Sequence, residues 1–295
     1  MSEPLFVRFW GTRGSIPTPG HKTRRFGGNT SCVEIRVGDI ELICDGGTGL
    51  RELGLDLLAR GRPKLEAHFF FSHMHWDHIQ GFPFFVPAYG PESELFVYET
   101  APGDERVQKL LHGQMSSEYF PVEFGDLGAR IAARHFEQRT LELGSIRVSC
   151  LEQHHPGRSF AYAFELGGKK IVYATDSELD LVLENREESL ASLDAVRRLP
   201  RELLAFVDGA DLLIADGQYT DEEYPKKIGW GHARANTVAD LAQQAGVKQC
   251  AVFHHDPMHS DELVDQKIQW ACERLDRQGG KTLLFGAREG LELKF

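Results

Sequence analysis

The sequence predicts an α+β fold in which two β-sheets pack together under covering helices. Strand-like segments fall in two runs, one in each half of the chain, with helical segments between and after them. No internal repeat and no Ser-, Gly- or Pro-rich linker breaks the 295 residues, so a single domain spanning 1–295 is expected.

The first run reads as the strands LFVRFW (5–10), SCVEIRV (31–37), IELICD (40–45) and EAHFFFSH (66–73). Gly38-Asp39, between the second and third, suits a tight hairpin turn. In GTGLRELGLDLLARG (47–61) the leucines at 50, 53, 57 and 58 have helical spacing. The second run comprises SIRVSCLEQ (145–153), SFAYAFELG (159–167) and KKIVYATD (169–176), separated by Gly-rich turns. Residues 179–206 read as helical, as does ANTVADLAQQAG (235–246), which closes on Gly246 as a C-cap. A strand in KQCAVFHH (248–255), a helix around 261–278 and a last strand in TLLFG complete the pattern.

Composition is that of an ordinary globular protein, 41% hydrophobic and 26% charged. A mean hydropathy of −0.33 and the lack of any apolar run near 18 residues argue against a membrane span. MSEPLFVRFWGTRG has no basic stretch leading into an apolar one, so no signal peptide is expected. Five cysteines with no CxxC pair fit a reducing cytoplasm, and point to neither a disulfide scaffold nor a cysteine zinc site. The net charge of −11 argues against a large RNA or DNA partner, because gripping phosphates usually takes a basic face. HKTRR (21–25) is the one basic cluster, in a loop between the first two strands, and is either a phosphate contact or a solvated loop.

The chemistry is concentrated in FFFSHMHWDHIQGFPFF (69–85). Imidazoles and carboxylates are costly to bury unless something compensates their polarity, and a bound cation is the obvious compensator. His73, His75, Asp77 and His78 follow one strand, His155 another, Asp176 a third and His254 a fourth. Strand-end loops are where a rigid scaffold can converge ligands from distant sequence. His73 and His75 are two apart and point the same way in extended backbone, whereas Asp77 and His78 lie where a turn into a helix aims them elsewhere. A lone strand histidine is ordinarily a hydrogen-bonded core or surface residue; four potential ligands together in H-x-H-x-D-H are not. Imidazole with carboxylate and no thiol suits zinc, manganese or iron. Seven such donors exceed one tetrahedral zinc, so two divalent ions are the economical count.

On these residues the chain resembles the metallo-β-lactamase-fold hydrolases over nearly its whole length. His73-Met-His75-Trp-Asp77-His78 is similar to that superfamily's signature, CDGGTG (44–49) to its Asp-x-Gly-x-Gly turn, and YATD (173–176) to its bridging-carboxylate strand. Within the superfamily it most resembles the phosphodiesterase branch containing ribonuclease Z and cyclic-nucleotide phosphodiesterases. RFWGTRGSIPTPG, GGNTS, HHPGRSFAYAFE, DGQYTDEEY and GWGHARANTVADLAQQAGVKQCAVFHHDP carry that likeness. The fold so implied is a four-layered αββα sandwich with its site at one edge of the two sheets. The likeness also selects His155 over His154, and His254 over His255.

The resemblance implies one ion on His73, His75 and His155, a second on Asp77, His78 and His254, and Asp176 bridging both. A hydroxide between the ions would attack a phosphodiester, with Asp77 orienting it or taking its proton. His232, in GWGHARAN, matches the branch's histidine that touches the substrate phosphate, and is the expected donor to the leaving alkoxide; a solvated turn residue is the plain alternative. Asp216 would orient it. Asp45 more naturally buttresses the metal loops than binds metal, and GGTG lacks the lysine of a P-loop.

Ribonuclease Z carries a tRNA-holding arm between the equivalents of His155 and Asp176; here 21 residues, filled by two strands and a turn, leave no room for one. Residues 177–211 set nine Asp/Glu against four Arg, a poor tRNA grip. A small phosphodiester such as a cyclic nucleotide is the expected substrate. An RNA-processing endonuclease of the same mechanism, and a metal-binding sensor with little turnover, are the competing readings. GFPFFVPAY (81–89) and EYFPVEF (118–124) either wall a pocket and stack a base or belong to the core. Branch relatives often form homodimers, which extends to this chain by analogy alone.

Overall fold

The computed structural model describes residues 4–61, 64–100 and 106–295; residues 1–3 of the stretch read as lacking a leader lie outside these. The chain forms two compact units, each built on a seven-stranded mixed sheet. The first unit comprises Met1–Pro19, Gly27–Leu141 and Arg288–Phe295, the second Gly20–Phe26 and Glu142–Ala287.

The first sheet contains β1 (Leu5–Gly11), β2 (Cys32–Val37), β3 (Ile40–Cys44), β4 (Glu66–Phe70), β5 (Glu94–Glu99) and β6 (Arg130–His135). Its first three strands form an antiparallel meander, with Gly38 at φ 55° in the β2–β3 turn, and β3 to β6 then run parallel. Helices α1 (Gly49–Ala59), α2 (Trp76–Ile79) and α3 (Arg106–Gln114) belong to this unit. Helix α1 buries Leu50, Leu53 and Leu57, as its spacing requires, and leaves Leu58 exposed. Strand β4 buries its rings completely. Phe69 lies 5.9 Å from Phe71, 5.8 Å from Phe82 and 5.5 Å from Phe85, centroid to centroid, and Phe70 stacks on Tyr98 at 4.6 Å. The phenylalanines flanking the histidine cluster are thus the packing that fixes its loop.

The second sheet contains β7 (Thr140–Leu143), β8 (Ile146–Gln153), β9 (Ser159–Leu166), β10 (Lys169–Ala174), β11 (Leu212–Asp216), β12 (Gln249–Phe253) and β13 (Leu283–Gly286), in the order β13-β12-β11-β10-β9-β8-β7. Strands β10 to β13 are parallel neighbours, and β8–β9–β10 is an antiparallel meander. A last strand, β14 (Glu292–Lys294), pairs with β1 in the first sheet. Mixed sheets with their own helices are the α+β class expected.

Residues 179–206 are not one helical stretch. A 3-10 turn at Leu179–Leu181, α4 (Arg186–Ala191) and α5 (Arg201–Val207) are separated by irregular chain at 192–200. Polar anchors override helix propensity there: Asn185 accepts from Arg198 N at 2.8 Å and donates to Val196 O at 2.9 Å. Asp240, on α6 (Ala235–Gln244), accepts from Arg197 N at 2.9 Å. Asp240 also pairs at 2.7 Å with Arg274 of α7 (Asp261–Arg277), whose guanidinium donates to Leu193 O and Ala195 O. A buried carboxylate is tolerated because it is met by that many donors.

Phe69→Ala removes a ring that is wholly buried among three others. It is expected to destabilise the protein by about 3–5 kcal/mol, read as a lowered denaturant midpoint.

Candidate metal centre

In the first unit the histidine cluster begins just past β4, which ends at Phe70 rather than running on to His73. Asp45 leaves the neighbouring parallel strand β3 with φ 59°, a left-handed conformation uncommon outside glycine. Its carboxylate accepts from Ser72 N at 2.7 Å, from Ser72 Oγ at 2.8 Å and from His78 Nδ1 at 2.7 Å. Ser72 Oγ, donating to Asp45, sits 3.1 Å from His73 Nδ1 and accepts from it. Asp45 therefore holds the loop and two of its imidazoles. The His73 ring lies 4.3 Å from those of His75 and His78, and Asp77 Oδ2 is 3.3 Å from His78 Nε2 while accepting from Ser15 N at 2.7 Å. His75 is exposed, and the other three are buried.

The second unit gathers its cluster at the carboxyl ends of three adjacent parallel strands, where α/β sheets commonly place ligands. Asp216 ends β11, Asp176 lies just past β10, and His254 follows β12. Neighbouring strands are about 4.8 Å apart, so residues leaving them at one level meet. Asp176 and His254 leave at φ 52° and 56°, turning their side chains towards each other, with His254 Nε2 3.4 Å from Asp176 Oδ1. Backbone held in this region clusters at functional sites. His155 Nε2 lies 3.9 Å from Asp176 Oδ2. His232 Nδ1 is 2.8 Å from Asp216 Oδ2, and its ring stacks on His254 at 4.8 Å. Ligand atoms of Asp176, Asp216, His232 and His254 all lie within 4.8 Å of one another. His154 is exposed, whereas His255 turns away, donating to Ala287 O at 2.8 Å with its ring edge-on to Phe26.

Three residues that the sequence did not single out position these groups. Gln218 Oε1 accepts from His254 Nδ1 at 2.8 Å, while Lys267 Nζ donates to the Gln218 carbonyl at 2.9 Å. The Gly231 carbonyl accepts from His155 Nδ1 at 2.8 Å. Glu178 fixes that carbonyl, its carboxylate accepting from Gly231 N and Gly229 N at 2.7 Å and from Tyr224 Oη at 2.8 Å. Position 231 demands glycine: its φ is +91°, and a Cβ there would stand 2.3 Å from His155 Nδ1.

The donors fit divalent metal. His73, His78, His155 and His254 each use Nδ1 for a protein acceptor, which fixes the tautomer and leaves the Nε2 lone pair as ligand, the arrangement typical of metal-binding histidines. His232 is held in the same way, through Nδ1 by the buried Asp216 carboxylate. Burial, with the charge of Asp216, pushes the Tyr219 phenol up, so it stays protonated beside His232. Glu223 is the opposite case: burial works to raise it, but hydrogen bonds from His259 and Thr220 prevail and bring it down to about 2. In HKTRR, Arg25 is engaged with Asp261 and Asp265 of α7.

Known proteins resemble the chain in sequence and in fold. The ribonuclease Z of Haloarcula marismortui is 23% identical over 97% of this chain and 95% of its own length. The metallo-β-lactamase fold protein YhfI from Bacillus subtilis, 19% identical, superposes with a TM-score of 0.69 over 99% of this chain and 100% of its own. A diphosphatase of the PhnP family, 14% identical, gives 0.66 over 100% and 98%. The expected metallo-β-lactamase fold is thereby the fold of the chain, and that fold implies divalent metal ions. No helix among the described residues is long and apolar enough to cross a membrane. The family model for the β-lactamase superfamily domain matches residues 42–255, a span holding both clusters, and the chain belongs to this superfamily of metal-dependent hydrolases.

Proposed function

We propose that the chain works as one dinuclear phosphodiesterase on small phosphodiesters such as cyclic nucleotides. The observation that carries the reading is the Nδ1 anchoring of four imidazoles beside buried carboxylates, in a member of a metal-hydrolase superfamily. His73, His75, Asp77, His78, His155, Asp176 and His254 would hold two divalent ions, zinc best matching an N/O donor set, with manganese and iron as alternatives. Such ions, when bound, polarise the phosphoryl group and make a nucleophile available at neutral pH.

The protein's own groups do the remaining work. Asp77, held by Ser15 N, is placed to accept a proton from the attacking water. His232, fixed through Nδ1 by Asp216, offers Nε2–H to the leaving oxygen. Tyr219, protonated, packs edge-on against that ring at 5.9 Å.

A small substrate is favoured over structured RNA because only β9, β10 and a glycine turn lie between His155 and Asp176. Ribonuclease Z relatives along the whole chain support the RNA-processing reading as the second one. The two separate on salt: turnover of a cyclic nucleotide changes little with ionic strength, whereas cleavage of structured RNA falls steeply.

Metal analysis of dialysed protein is expected to find two equivalents, reduced in His73→Ala and in His254→Ala; wild type retaining none would sink the proposal. Gly231→Ala drives a methyl against His155. It should weaken metal affinity roughly 10–100-fold, the usual effect of disturbing a ligand's support, measured by competition with a chelator. His232→Ala should lower kcat about 10²–10⁴-fold on an alkyl phosphodiester and much less on bis(p-nitrophenyl) phosphate, whose leaving group needs no proton. Metal content should survive that change, and equal losses on both esters would remove the proton-donor role.

A further inference from the structure

We propose that a cleft beside the His73–His78 loop is a nucleobase subsite, so that the phosphodiester acted on carries a purine or pyrimidine ring. This rests on the phosphodiesterase reading above and names its substrate class. The cleft encloses about 480 Å³, within the range of roughly 300–1,000 Å³ usual for small-molecule sites. Four rings line it: Trp76, Phe84, Tyr119 and Phe120. Trp76, Phe84 and Tyr119 are 70%, 53% and 76% exposed, although Phe82 and Phe85, on either side of Phe84, are wholly buried.

The lining selects a neutral flat ring. Among the described residues that line the cleft none is charged, so it offers nothing to a phosphate. The phosphate's partners are in the same turn of chain, since Trp76 sits between His75 and Asp77. In the proposed subsite a base stacked on Trp76 would leave its phosphate, one sugar away, to that turn. Gln80 and Gln114 supply the polar edges a base needs. Their amides are set in advance, Gln80 Nε2 donating to Thr30 Oγ1 at 3.2 Å and Gln114 Nε2 to Ile79 O at 3.1 Å. Phe84 and Phe120 brace each other edge-to-face at 5.4 Å, so little order is lost on binding. Stacking of this kind tolerates any base, because each presents a π-face.

The test compares two esters with one leaving group, the p-nitrophenyl ester of thymidine 5′-monophosphate and ethyl p-nitrophenyl phosphate. Metal-loaded wild type should prefer the nucleoside ester in kcat/KM by roughly tenfold or more, the usual worth of a base stack. Tyr119→Ala and Phe84→Ala should each shrink that preference, chiefly through KM. A wild-type ratio near one, or a ratio unmoved in both variants, overturns the subsite. If neither ester is hydrolysed, the phosphodiesterase reading fails by itself, and calorimetric titration with thymidine 5′-monophosphate decides the cleft. Binding weakened by Tyr119→Ala supports it, and absent or variant-independent binding overturns it.

Discussion

A neutral imidazole has one nitrogen that donates and one that accepts, and much of this structure serves to decide which is which. Ser72, Asp45, Gly231 and Gln218 each occupy the Nδ1 side of a histidine, so the lone pairs on Nε2 are set before any ligand arrives. The acceptors differ in kind: a hydroxyl, a carboxylate, a backbone carbonyl and an amide. They do the same thing because hydrogen-bond direction, rather than residue type, fixes a tautomer. His232 obeys the rule too, with the Asp216 carboxylate on its Nδ1 side.

Holding acceptors in place is what the sheets accomplish. Asp45, Asp176 and His254 leave parallel strands in left-handed backbone, a conformation each adopts at some cost. The flanking strands are buried almost throughout, and packing there over-determines the exit geometry. In the first unit the rings of Phe69, Phe82 and Phe85 do this; in the second it is the apolar layer containing Val172, Ala215 and Val252. Strain at the strand ends and close packing beneath them are one design.

Local pattern made part of this legible in the sequence. The H-x-H-x-D-H cluster announces itself because four donors fall within six residues, and the Phe-rich strand before it shows where it is anchored. The Asp216–His232 pairing needed a family likeness, since 16 residues separate them. Gln218, Glu178 and the Gly231 carbonyl left no readable mark: a carbonyl has no letter of its own, and Glu178 acts 53 residues away on Gly231. Strand β11 went unread because LLIAD is buried on both faces, and a short apolar run without alternation is indistinguishable from helix. The break in 179–206 was hidden for the converse reason, being imposed by Asp240 and Asn185 through contacts that propensity does not register.

Gly231 ties two histidines together through the peptide between residues 231 and 232. Its carbonyl steadies His155, its amide is tethered to Glu178, and the next residue along the chain is His232. A displacement of that peptide is a common-mode error, shifting the two imidazoles together rather than apart. The same linkage means that a change moving this peptide reaches both histidines, whereas Lys227 and Trp230, whose ammonium and ring lie 3.9 Å apart, stand on the loop away from it.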